Sequence, residues 1–253
     1  MRLSDYADKY EAIRFTREGG VLEMRLHHQG GPAKWGSSAQ SLHGELGPAF
    51  RDVAGDPENR VVILTGTGDS FLDGFDPALI HPEPTMAALW PRLYDEGVSL
   101  LGNLLAIPVP MIAAVNGPAL VHAELAALCD IVLAAEHASF ADHAHAINGT
   151  VPGDGVHVVW PMLLGPNRGR YFLLTGEVIG AEEARRLGVV AEVLPADRLM
   201  ARARELAAQL ARHPLPMLRY TRALLVKDLR RKMFDDLPSG LAHEALGTIF
   251  RAG

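Results

Sequence analysis

The chain has 253 residues, a formal net charge of −6, 48% apolar and 21% charged residues, and a single cysteine. That length and apolar content suit one large domain with a sizeable core, and without a basic stripe nucleic acid is not an expected partner. Cys129 has no partner for an internal disulfide, the polar start "MRLSDYADKYEAI" lacks the apolar stretch of a secretory signal, and no apolar run is long enough to span a bilayer, so a soluble cytoplasmic protein with no membrane partner is expected.

In chain order, "IRFTREGGVLEMRLHH" reads as a β-hairpin turning at Gly19-Gly20. "SAQSLHGELGPAFRDVAGD" has helical spacing through Leu42, Leu46, Phe50 and Val53 and stops near Gly55 and Pro57. "NRVVILTGTG" reads as a buried parallel strand. "LYDEGVSLLGNLLAI" is helical in pattern and ends before Pro108 and Pro110. "PMIAAVNG" is a second buried strand, "ELAALCD" a short helix that places Cys129 in an apolar setting, and "IVLAAE" a third strand. Strands alternating with helices argue an α/β fold with a parallel sheet and right-handed crossovers. Beyond Val156 the pattern changes. "GRYFLLTGEVIGAEEARRLGVVAEVLP" holds two helices and a short strand. Glu182 and Glu183 open the second helix, Arg185 and Arg186 close it, and Gly188 caps it. From Ala196 the chain is helical, with interruptions expected at Pro214, Pro216 and Pro238. Leu199, Leu206 and Leu210 share one face of the first of these helices.

The stretch "ADHAHAINGTVPGDG" gathers His143, His145 and Asp154 around one Pro-Gly turn. A metal site, a general acid–base pair and simple surface polarity all fit it. In an extended segment His143 and His145 share a face, but zinc needs three protein ligands and no third is evident in the sequence. Asp154 fits equally as a cap for a helix beginning near Gly155. Trp35 sits in the polar loop "PAKWGSS", where it can pack or donate its indole N–H. Glu244, beside His243, fits a solvated helix face. Trp90 and Trp160 read as core or rim residues.

Four stretches, "VVILTGTGDSFLDGFD", "IPVPMIAAVNGPALVHAELAALCDIVLAAEHASFA", "NGTVPGDG" and "LLTGEVIGAEEARRLGVVAEVLP", resemble the crotonase (enoyl-CoA hydratase/isomerase) superfamily in order and spacing over most of the chain. The resemblance implies a spiral of ββα units over residues 1–195. It also implies a helical C-terminal trimerisation region over 196–253 and a homotrimer or dimer of trimers. Its chemistry is stabilisation of an enolate by two backbone N–H groups, which fall by motif position on Phe75 and Val121. The bulk of Asp73, Phe75, Val121 and His122 stands where hydratases carry glycine and alanine, so a CoA thioester is not expected to fit in the usual way. Of the two glutamates of a hydratase, Glu124 matches the first, and the second falls on His145. An imidazole can deprotonate water near neutral pH. Asp154 would then hold its opposite ring nitrogen, as the aspartate of a hydrolase triad does.

His145 with Asp154, His122 before Glu124, Trp35, and Glu244 in "GLAHEAL" resemble the β-diketone hydrolase branch of the superfamily. That implies a small cyclic diketone as substrate, retro-Claisen cleavage of a C–C bond, and no cofactor or metal. His145, Asp154, His122 and Glu244 form the expected catalytic set, and Trp35, Phe75, Val121 and Glu124 the expected substrate contacts. A CoA-thioester hydratase is disfavoured by "FLDGFDPALIHPEP", which carries acids and no lysine or arginine to meet CoA phosphates. A catalytically silent binding protein of the same fold would leave His145 and Asp154 unpaired.

Overall fold

The computed structural model describes residues 1–79 and 86–251. Strands β1 (Ile13–Glu18) and β2 (Val21–Leu26) pair antiparallel. Gly19 and Gly20 between them both take positive φ, +57° and +82°, which a two-residue turn matched to strand twist requires. Strands β3 (Val61–Thr65), β4 (Met111–Val115) and β5 (Ile131–Ala135) follow in parallel, and a later strand closes the six-stranded sheet beyond β5. Every residue of β3 and β4 is buried, because helices cover both faces of a parallel sheet.

The crossovers are the expected helices. Helix α1 (Leu42–Ala54) joins β2 to β3 and buries Leu42, Leu46, Phe50 and Val53. Helix α2 (Met86–Ala106) joins β3 to β4, and α3 (Glu124–Ala127) joins β4 to β5. Cys129 is buried, and its thiol donates to the Leu125 carbonyl at 3.5 Å. Beyond β5, β6 (Ser139–Phe140) pairs antiparallel with β7 (Ile179–Gly180). Between them lie α4 (Val156–Leu164) and α5 (Pro166–Thr175), where buried Trp160 packs against Phe172 with ring centroids 4.5 Å apart. Helix α6 (Ala181–Arg186) ends before Gly188 at φ +81°, and β8 (Glu192–Leu194) completes the large sheet beside β5.

Helices α7 (Ala196–Leu210), α8 (Leu215–Leu225) and α9 (Lys227–Arg251) follow. The helical C-terminal region that begins at residue 196 packs onto the spiral. Leu199, Ala203 and Ala207 of α7 are buried in the same core as the strands. The expected break at Pro238 is absent, for α9 runs through it. One lost backbone hydrogen bond is offset by packing, since Met233, Leu237 and Leu241 bury on either side of it. Arg222, 2% exposed, fastens α8 to the sheet. Its Nε donates to Asp130 Oδ2 at 2.7 Å, and its guanidinium also donates to the Ile107 carbonyl. Among the described residues no helix is long and apolar enough to cross a membrane.

This architecture places the loops after β3 and β4 at one end of the sheet, where ligands bind in open α/β folds. Helix α9 folds back against α2 and α4 to cover that end.

Candidate active site

Under α9 lies a cavity of about 490 Å³. Its wall comes from five separate pieces of chain: the loop and first turn around Trp35–His43, Phe75, the α2 face carrying Leu89, Trp90 and Leu93, His122, and the turn Ala144–Asp154. Leu241, Glu244 and Thr248 of α9 close it. Trp90 therefore belongs to the site, and Trp160 to the core.

Residues 143–149 form consecutive turns rather than the expected extended segment. Ala146 N–H donates to the Asp142 carbonyl at 3.2 Å, and His143 N–H to the Leu120 carbonyl at 2.8 Å. This winding brings residues three apart together. His145 Nδ1 donates to Asp142 Oδ1 at 2.7 Å, with both side chains almost wholly buried. Asp142 thus occupies the ring nitrogen that sequence spacing gave to Asp154. Asp154 stands on the other side. Its Oδ1 is 3.5 Å from His145 Nε2, and Glu244 Oε1 is 3.6 Å from the same nitrogen. Both are longer than the ~2.6–3.2 Å of a direct catalytic hydrogen bond, and Nε2 faces the cavity between two carboxylates. Asp154 does not cap α4. Gly155 holds the N-cap position at φ +101°, with no side-chain cap.

His122 is held in the left-handed region, φ +52°. Its Nδ1 lies 2.8 Å from Glu124 Oε1 and 3.1 Å from Asp154 Oδ2, and its ring stacks on Trp35 with centroids 3.8 Å apart. Glu124, 2% exposed, does not line the cavity but supports His122 from behind. The substrate contact expected of Glu124 is therefore replaced by a contact to a side chain that does face the cavity.

Val121 is a second correction. Its N–H donates to the Leu72 carbonyl at 3.2 Å, its side chain is 1% exposed, and it does not reach the cavity. The strand-like bridging of Leu72 to the 119–121 segment consumes the group that would meet an oxyanion. Phe75 does line the cavity. Trp35 and Phe75 form a parallel bridge in which Trp35 N–H donates to Gly74 and Asp76 N–H to Trp35. Among the described residues neither the Phe75 nor the His122 N–H has a hydrogen-bond partner.

The electrostatics follow from burial and charge. Burial opposes charge on His145, but the Asp154 charge, the bond to Asp142 and the nearby Glu244 outweigh it and raise its pKa well above that of a free imidazole. For His122, burial is likewise outweighed by Glu124 and Asp154, and its pKa is pushed up to about 10. Burial would raise the Asp154 pKa, yet the two imidazoles hold it far below the usual carboxylate range. Burial raises both Glu124 and Glu244. One oxygen each of Glu124, Asp142, Asp154 and Glu244 is buried without a hydrogen-bond partner.

Two groups of side chains could hold a divalent cation: His122, Glu124 and Asp154, and His145, Asp154 and Glu244. In each, the ligating atoms lie within 4.8 Å of one another. The third ligand missing from the sequence around His145 is thus supplied by α9, and His143 belongs to neither group. Sequence reasoning also missed His43, which lines the cavity with Nδ1 2.8 Å from Glu96 Oε2.

At the mouth, Asp73 pairs with Lys34 Nζ at 2.6 Å and Asp76 with His28 Nε2 at 3.1 Å. The Asp73 charge expected to repel CoA there is offset by Lys34 from the loop after β2. Residues 80–84 of that stretch, Glu83 among them, lie outside the described residues.

A ββα spiral with a buried imidazole–carboxylate cluster at the end of its sheet defines an enzyme of the crotonase class. The chain belongs to that family: the enoyl-CoA hydratase/isomerase family matches residues 16–245. It is similar to a β-diketone hydrolase from the cyanobacterium Anabaena, solved bound to (S)-3-oxocyclohexyl acetic acid, at 42% identity and a TM-score of 0.93 over 98% of each chain. An enoyl-CoA hydratase/isomerase from Mycobacterium paratuberculosis superposes with a TM-score of 0.85 at 27% identity, over 96% of this chain and 95% of that one. Among curated relatives, the carnitinyl-CoA dehydratase of Citrobacter koseri is 38% identical over 79% of this chain and 74% of its own length.

Proposed function

We propose that the protein hydrolyses a C–C bond of a cyclic β-diketone by a retro-Claisen reaction, giving a keto acid. The observation that carries this is His145 Nε2, which faces the cavity between Asp154 and Glu244 at 3.5 and 3.6 Å where a hydratase would present a second glutamate. Water resting against Nε2 and the two carboxylates loses a proton to the imidazole and attacks one carbonyl. The tetrahedral intermediate breaks its C–C bond, and the electron pair moves onto the second carbonyl as an enolate. The His145 proton then passes to the enolate carbon, so one water is consumed and a keto acid forms. The β-relationship is needed because only the second ketone makes the carbanion a tolerable leaving group.

The enolate oxygen is met by His122. With Nδ1 committed to Glu124 and Asp154 and its pKa pushed up to about 10, this ring is an imidazolium at neutral pH, and its Nε2–H is a charged donor. Trp35 supplies an indole N–H, and its ring packs against the same cation at a tilt of 32°. The branch resemblance extends to 6-oxocamphor hydrolase, and the keto acid in the Anabaena protein is the kind of product such a cleavage yields.

The dehydratase relatives, the retained Glu124 and Lys34 at the mouth favour a second reading, hydration or dehydration of CoA thioesters. The Val121 N–H bonded to Leu72 speaks against it. The assay offers purified protein a monocyclic or bicyclic 1,3-diketone and, separately, crotonyl-CoA. Loss of the diketone with formation of a keto acid is expected. Efficient crotonyl-CoA hydration with the diketone untouched would overturn the proposal.

A further inference from the structure

We infer that Asp142, and not Asp154, is the positioning residue that fixes the tautomer and ring orientation of His145. The role rests on the proposed use of His145 as a base, but the geometry does not.

The two ring nitrogens have unequal surroundings. Nδ1 meets Asp142 Oδ1 at 2.7 Å in a setting where both side chains are no more than 3% exposed. A carboxylate only accepts, so Nδ1 carries the hydrogen. The neutral ring must then hold its lone pair on Nε2, which faces the cavity. Asp154 is on that side, 3.5 Å from Nε2. If Asp154 were the orienting group, Nε2 would carry the hydrogen and the lone pair would lie on Nδ1, directed at the Asp142 carboxylate. Two acceptors would then meet across 2.7 Å in a buried site, an arrangement with no compensation for their desolvation. The two assignments exclude each other, and the shorter, more deeply buried contact decides between them.

Asp142 has no competing task among the described residues. Its Oδ2 is buried without a hydrogen-bond partner, and its side chain bonds only to His145. A buried carboxylate is costly unless something charged or strongly donating faces it, and here that is the imidazole alone. The backbone keeps it in place on both sides: Ala141 N–H donates to Ala119 at 3.1 Å and His143 N–H to Leu120 at 2.8 Å. The same 119–121 segment leads into His122, so both imidazoles take their position from one piece of chain. Asp154 is left with a different task. It places one charge between the two rings, 3.1 Å from His122 Nδ1 and 3.5 Å from His145 Nε2.

The charged and titratable groups facing His145 are Asp142 on its own turn, Asp154 before α4, Glu244 on α9, and His122 with its ring centroid 6.3 Å away. The test is a ¹⁵N-histidine NMR titration of the whole protein without substrate, in the wild type and in Asp142→Asn and Asp154→Asn variants. In the wild type the unprotonated nitrogen of neutral His145 is expected to be Nε2. In Asp142→Asn the titration midpoint falls and the tautomers mix, while Asp154→Asn keeps the Nδ1–H tautomer. On a β-diketone, Asp142→Asn is expected to lower kcat about 10²-fold or more with KM nearly unchanged, and to move the limb of the pH–rate profile toward acid. An Nε2–H tautomer in the wild type, which needs no variant to fold, would overturn the inference. So would an Asp142→Asn protein with a wild-type titration. The NMR result stands or falls without any diketone, so failure of the assay on diketones alone would strike only the proposed function.

Discussion

His145 illustrates how far a neighbour can move a side chain from its ordinary behaviour. Held between Asp142, Asp154 and Glu244, it keeps its proton to higher pH than a free imidazole. The base in the proposed reaction is the neutral ring, and the neutral fraction grows as pH rises. Diketone hydrolysis should therefore increase from neutral into alkaline solution rather than level off near pH 6.5, and a profile flat above pH 7 would remove His145 from the proton transfer. His145→Ala should abolish turnover in the same assay. At His122 a side chain with a positive φ of 52° carries backbone strain of about 1–3 kcal/mol. Asparagine tolerates that conformation but lacks the charge. His122→Asn is expected to fold and to lose about 10²–10³-fold in kcat, the usual cost of one oxyanion donor, and wild-type turnover in that variant would reassign the enolate contact. Much of this constellation was legible in the sequence: the histidine in place of a glutamate, the acid after the Pro-Gly turn and the glutamate near the C-terminus all converge on one cavity. Asp142 was hidden because it approaches His145 only if residues 143–149 wind into turns. Val121 misled because motif spacing does not reveal which way an N–H points.

The helix and strand order followed from periodicity and turn residues, since β3, β4 and α1 bury the apolar positions their patterns singled out. What periodicity does not reveal is the approach of elements far apart in sequence. Gly153, before α4, and Gly240, within α9, face each other so closely that a Cβ on either would overlap the other's carbonyl. This contact lets α9 descend far enough for Glu244 to reach 3.6 Å from His145 Nε2. Gly240→Ala should push α9 outward. We expect it to remain folded, to lose activity on a diketone by at least about tenfold and to lower the midpoint of urea unfolding, because overpacking costs about 1–3 kcal/mol. Unchanged activity would mean that the position of α9 is not critical to Glu244.

Across the whole molecule, apolar side chains remain exposed on two helices well apart in sequence, Tyr171 and Leu174 of α5 and Tyr220, Leu224 and Leu225 of α8. Apolar exposure on this scale is usually covered by a partner, and we propose a second and third copy as that cover, the assembly the superfamily resemblance implies. Sedimentation should give a trimer or dimer of trimers, and a monomer at micromolar concentration would contradict it. Exhaustive chelation should leave diketone hydrolysis unchanged in that assembly, because the proposed steps use only side chains and water; a loss restored by zinc would move His145, Asp154 and Glu244 into a metal mechanism. The concentration of acids at the cavity also bears on how turnover ends. Four carboxylates, Glu124, Asp142, Asp154 and Glu244, surround two imidazoles, and two of the four line the cavity itself. A diketone enters this field uncharged, whereas the keto acid ionises as it forms. The new carboxylate competes with Asp154 for the His122 and His145 rings that already balance it, so restoring that pairing favours departure of the product. Asp154, one of the carboxylates that hold the water, thus helps give the catalytic cycle its direction.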